Sequence, residues 1–113
     1  MSNVRLCYTT HMRTLMHPRM EELRFSVVLQ ALSDPARLHI IRALLHDPPQ
    51  ACQDILPQMP KSTRSYHFRV LREAGITHTV IIGSQHVVTV RQHDLETRFP
   101  GLLKGLVQAT APD

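Results

Sequence analysis

From Met20 onwards apolar side chains recur at helical spacing, Leu23, Val27, Val28, Ala31 and Leu32, and predict a first helix over about residues 20–32. Ser33-Asp34-Pro35 follows, a capping side chain with proline at the first helical position. It starts a second helix that carries Leu38, Ile41, Leu44 and Leu45 until Asp47-Pro48-Pro49 stops it. A shorter helix is expected around residues 51–58, with Ile55 and Leu56 apolar, before Pro57 and Pro60 break the pattern. In "PKSTRSYHFRVLREAGI", residues 60–76, Phe68, Leu71 and Ile76, flanked by Val70 and Ala74, mark a buried side, and Gly75 stands where a left-handed helix terminator belongs. The period then shortens to about 2, the spacing of strands. "THTVIIGSQHVVTVRQ" predicts strands over residues 76–82 and 86–91 with a tight Gly83-Ser84-Gln85 turn. In the closing "HDLETRFPGLLKGLVQA", Leu95, Phe99, Leu102, Leu103, Leu106 and Val107 form a wide apolar stripe, broken near its start by Pro100-Gly101.

This order of elements predicts a mainly α fold with a small β-hairpin, a winged helix-turn-helix flanked by N- and C-terminal helices that pair two copies. With 113 residues, 42% of them hydrophobic, the chain has room for one domain, expected over residues 18–111. Residues 1–17 show no period and read as a leader or arm, mobile or wrapped on a dimer before DNA-binding. Arg5 and Arg13, with Arg19 just beyond and no acid before Glu21, would nonetheless permit phosphate contact. Aromatics make up 4% and Trp is missing, so the core must be Leu, Ile and Val. A chain this short buries its surface incompletely, and the terminal stripe is wide enough to want a partner subunit. Cys7 and Cys52 are the only cysteines, which fits a reduced, cytoplasmic setting better than a disulfide scaffold. No run of about 18 apolar residues occurs, so no membrane span is expected.

Charge sharpens this picture. Thirteen Lys and Arg against nine Asp and Glu give a net charge of +4 and favour a polyanionic partner. The helix of residues 60–76 concentrates the excess, with Lys61, Arg64, Arg69 and Arg72 against Glu73 alone. It reads as a recognition helix for double-stranded DNA. Short side chains at its start let the backbone approach a duplex, and its amides can meet phosphate. Lys61, Ser62, Thr63 and Arg64 from its first turn, and Ser65, Tyr66, His67 and Arg69 beyond, are the candidate contacts, joined by Ser84 and Gln85 from the wing.

"LQALSDPARLHIIRALL" followed by "KSTRSYHFRVLREAGI" resembles the ArsR/SmtB-type bacterial repressors, over about residues 20–108. The closing "DLETRFPGLLKGL" resembles one subgroup of that family, and "MHPRMEEL" from Met16 resembles the start of many relatives. The resemblance implies a homodimeric repressor that leaves its operator when an inducer, such as a small molecule, binds. It does not name that inducer. The arsenic-type motif needs two cysteines one residue apart, and "QACQDI" holds Cys52 alone. The zinc-type site needs a second half that Lys104 and Leu106 do not supply after His93 and Asp94. His67 stands at a position often filled by histidine in the family, and Arg64 where relatives place an aliphatic residue. The stem of Arg64 could therefore pack while its head reaches out.

Two features stay open between function and packing. Cys52, at the start of the expected third helix, is either a reactive thiol lowered in pKa by that helix or a small buried hydrophobe. His39 and His46 could share a helix face as metal ligands, but surface or partly buried histidines suffice, and no metal or cofactor is expected. Neither a Gly-rich phosphate loop, a nucleophile elbow nor a paired-carboxylate motif is present, so no enzyme is expected. A winged helix used only for protein contacts would present an acidic or apolar recognition surface, and this one is cationic.

Overall fold

The computed structural model describes residues 12–110. In chain order it contains β1 (Met12–Thr14), α1 (Phe25–Ala31), α2 (Pro35–His46), β2 (Gln50–Ala51), α3 (Lys61–Glu73), β3 (Thr77–Ile82), β4 (Gln85–Val90), α4 (Gln92–Arg98) and α5 (Leu102–Ala109). The strands form one antiparallel sheet in the order β1-β3-β4-β2. Val28, Ile40, Ile41, Leu44, Leu71, Ile76, Val88 and Leu95 are buried together where the helices meet the inner face of the sheet. The mainly α winged architecture is as the apolar pattern predicts.

α2 begins where the cap predicts. The Asp34 carboxylate accepts hydrogen bonds from the Ala36 and Arg37 amides at 2.8 and 3.1 Å, with Pro35 at the first position. α3 ends as its glycine predicts: the Ile76 amide donates to Leu71 O at 3.0 Å and the Gly75 amide to Arg72 O at 3.0 Å. Gly75 has φ +86°, and a Cβ there would collide with the Leu23 side chain. Gly101, also left-handed at φ +84°, separates α4 from α5, so the expected break in the terminal stripe is a full interruption.

Three expectations change. The helix expected over residues 20–32 is a 3₁₀ turn at Met20–Glu22, an extended Leu23-Arg24, and only then α1. Extension at this point lets Leu23 pack against Gly75, and Leu23 is 2% exposed. Arg98 bridges the break, donating to Met20 O at 2.9 Å, which also accepts the Leu23 amide, and to Leu23 O at 2.7 Å. The helix expected over residues 51–58 is a single 3₁₀ turn, Cys52–Asp54. Gln50–Ala51 instead pairs with Val88–Val87 of β4, and Leu56 adopts a left-handed φ of 56° between the turn and Pro57. Lastly, Met12–Thr14, within the stretch expected as a leader, forms an edge strand on β3, with Met12 opposite Ile82 and Thr14 opposite Val80. Arg5 and Cys7 lie outside the described residues.

Candidate nucleic-acid interface

Thirteen residues give α3 about three and a half turns, and burial divides it cleanly. His67, Phe68 and Leu71 face the core, while Lys61, Ser62, Thr63, Ser65, Tyr66 and Arg69 are exposed. Apolar groups hold the helix down, so the polar row has no choice but to face outwards. Pro60 precedes the helix and offers no capping side chain, which leaves the first-turn amides open. Tyr66 is 49% exposed, and the Arg69 guanidinium lies 5.6 Å from the centre of its ring. That cation–π contact steadies two candidate DNA contacts against each other.

α3 and the wing bound an open groove of about 870 Å³, with Lys61, Ser65, Tyr66, Arg69 and Arg72 on the helical wall. Ser84 and His86 stand on the wing wall, and Thr79 lies at its root. Ser84 and Gln85 are exposed at the wing tip. The structure thus brings together most of the site read from sequence and adds Arg72 and His86, which that reading left out of the contacts.

Two predicted contacts are placed differently. His67 is 9% exposed and turned inwards, so it is not on the outward face with its neighbours. Arg37 Nη1 lies 3.1 Å from His67 Nδ1, and because a guanidinium can only donate, Nδ1 accepts. Arg37 Nε also donates to Ala31 O at 2.6 Å, and the Asp34 carboxylate lies 3.9 Å from the His67 ring nitrogen. His67 therefore docks α3 on the start of α2 and sets its orientation. Arg37 has no apolar-pattern signal, and only contact across thirty residues reveals its role. Arg64 packs its stem and donates to Met59 O at 3.2 Å and Leu56 O at 3.5 Å, closing the irregular loop before α3. Its head is engaged within the protein.

Cys52 sits half-buried at the base of the groove. Burial pushes its thiol up to about 11, although Arg64 and Arg72 pull in the other direction. Of the two readings of Cys52, this favours the packed thiol over the activated thiolate, because the expected helix is a three-residue turn and desolvation outweighs the nearby cations. At neutral pH the group is a protonated thiol. His39 and His46 are exposed on α2, and among the described residues no three His, Cys, Asp or Glu side chains gather as metal ligands. Asp94 pairs with Arg91 at 3.0 Å.

A cationic, outward-facing helix docked on a capped partner helix and followed by a hairpin defines a winged helix-turn-helix DNA-binding protein. A family model described as a helix-turn-helix domain matches residues 32–80, from the end of α1 into β3. An uncharacterised helix-turn-helix transcriptional regulator of Bacillus subtilis (strain 168), YceK, is 38% identical over 82 residues, which span 70% of this chain and 82% of the relative. The crystal structure of an ArsR family transcriptional regulator superposes with a TM-score of 0.61 at 17% identity, covering 87% of this chain and all of that one. The chain belongs to the helix-turn-helix transcriptional regulators, and its fold is that of the ArsR family regulator.

Proposed function

We propose that the protein is a homodimeric repressor that acts in the cytoplasm and holds an operator through two copies of α3, each in a major groove. The observation that carries this reading is the polar face of α3. Its open first-turn amides and exposed Lys61 and Arg69 suit phosphate, while Ser65 and Tyr66 beside them suit base edges. Ser84 and Gln85 reach the duplex from the wing. Pairing of two copies is supported by apolar surface on the terminal helices: Phe25 is 49% exposed, Leu29 46% and Val107 38%, and the Phe25 ring centre lies 5.1 Å from that of Phe99. Leu103, by contrast, is buried within the protomer, so Leu29 and Val107 are the cleaner probes of pairing.

Release from DNA acts on the orientation of α3, which rests on the Asp34–Arg37–His67 contacts and on the loop that Arg64 closes. A small-molecule inducer that displaces either support would misalign the two helices. The protonated state of Cys52 argues against oxidant sensing as that signal, and the scattered histidines argue against metal. No catalytic role is assigned.

Binding of operator fragments selected from the source genome tests the reading. Lys61→Ala and Arg69→Ala should weaken binding to every duplex and lower its salt dependence, by about 0.9 in log–log slope for each phosphate that no longer meets a cation. Ser65→Ala or Tyr66→Phe should instead shift base preference. Unchanged affinity and slope in both cation variants would overturn the assignment of α3.

A further inference from the structure

The hairpin that forms the wing carries no Lys or Arg between Thr77 and Val90. A wing with no fixed positive charge is a weak partner for phosphate, yet the sheet does not end with the hairpin. β1 adds a third strand at the open edge of β3, and its central residue is Arg13, directly opposite Ile81. Ile81 in turn stands opposite His86 of β4. Directly opposed residues of antiparallel strands project from the same face, so Arg13, Ile81 and His86 form one row across the sheet. His86 lines the groove that the wing shares with α3, so this is the face turned towards the recognition helix. Met12 opposite Ile82 places the row one residue from the Gly83-Ser84 turn, at the tip of the wing. Arg13 is exposed and makes no ion pair among the described residues.

Resting on the DNA-binding reading above, we propose that β1 completes the wing and that Arg13 is its phosphate-contacting cation, engaging the duplex backbone beside the groove read by α3. Strand spacing of about 4.8 Å puts Arg13 roughly two strands, about 10 Å, from His86, and an extended arginine reaches several ångströms further. The wing then spans a wider stretch of backbone than its hairpin alone, and it gains the charge that the hairpin sequence lacks. Contact with phosphate adds affinity without adding base preference.

Fluorescence anisotropy of a labelled mixed-sequence duplex, titrated with the full chain across a series of salt concentrations, tests this directly. Arg13→Gln should lower affinity several-fold at low salt and reduce the log–log salt slope by about 0.9 for each protomer engaged, with Arg13→Lys retaining the wild-type slope. Lys61→Ala, measured alongside, reports on α3. A wild-type slope in Arg13→Gln together with a reduced slope in Lys61→Ala would sink the wing cation and leave the recognition helix standing. Wild-type slopes in both would remove the DNA-binding reading of α3 as well. Should Arg13→Gln self-associate and keep its salt slope, Arg13 guards an exposed sheet edge and the proposal is overturned.

Discussion

α2 and the segment leading into α1 both need their free backbone groups satisfied, and they solve the problem at opposite ranges. α2 opens on Asp34, whose carboxylate meets amides two and three residues ahead. The broken turn at Met20–Leu23 has its carbonyls met by Arg98, 78 and 75 residues away. Nearby support is written into adjacent letters and can be read from them. Distant support exists only once the fold has closed, so a helical apolar period at residues 20–32 conceals the break.

That contrast is sharpened first by removing the distant support. Arg98→Met keeps much of the apolar stem and deletes two charge-assisted hydrogen bonds to partly buried carbonyls. An expected destabilisation of about 2–3 kcal/mol follows, measured by urea unfolding. A loss under about 0.5 kcal/mol would mean that water satisfies those carbonyls and that the break at Leu23 stands without Arg98. Asp34→Ala removes the nearby support and should cost about 1 kcal/mol, the usual value of an N-cap. Because Asp34 also lies beside His67, the same variant should weaken DNA binding more than its stability loss alone explains. A variant that binds DNA as tightly as wild type would confine Asp34 to capping.

The same division explains what was legible. α2, the Gly75 terminator, the hairpin and the Gly101 break each depend on a residue within a few positions, and the sequence places them within a residue or so. The recognition face was legible because Phe68 and Leu71 fix which side of α3 is buried. His67 escapes such a reading because an imidazole suits either side until Arg37 is seen to reach it. The short helix over residues 51–58 fails because Gln50–Ala51 has a better partner in β4 than in its own chain neighbours, and Pro57 leaves little helix to compete. Charge misleads in a subtler way. Arg37, Arg42, Arg64, Arg91 and Arg98 all donate to carbonyls within the fold, so much of the cationic excess counted from composition is structural. The case for DNA rests on the exposed Lys61 and Arg69, and not on the total.

The smallest effect belongs to another distant clasp, between the chain entering from β1 and the root of the wing. His17 stacks on His78 with ring centres 4.3 Å apart, and its Nε2 accepts the Thr79 amide proton at 2.9 Å. A protonated ring could not accept that bond. Burial, then the neighbouring His78 and Arg91, hold the His17 pKa down at about 4, and burial with Arg91 lowers His78 also. The unfolded chain, with histidine near 6.5, therefore takes up protons first as the solution is acidified. The clasp contributes fully above pH 6.5 and fades progressively as pH falls towards 4. Partial exposure of both rings keeps the contribution modest. Unfolding midpoints measured between pH 7 and 4 should fall for wild type and fall less steeply for His17→Gln, whose amide oxygen can accept the same proton without titrating. Equal slopes for the two proteins would show that the acid sensitivity comes from elsewhere, and that the contact between His17 and Thr79 adds nothing to the anchoring of β1.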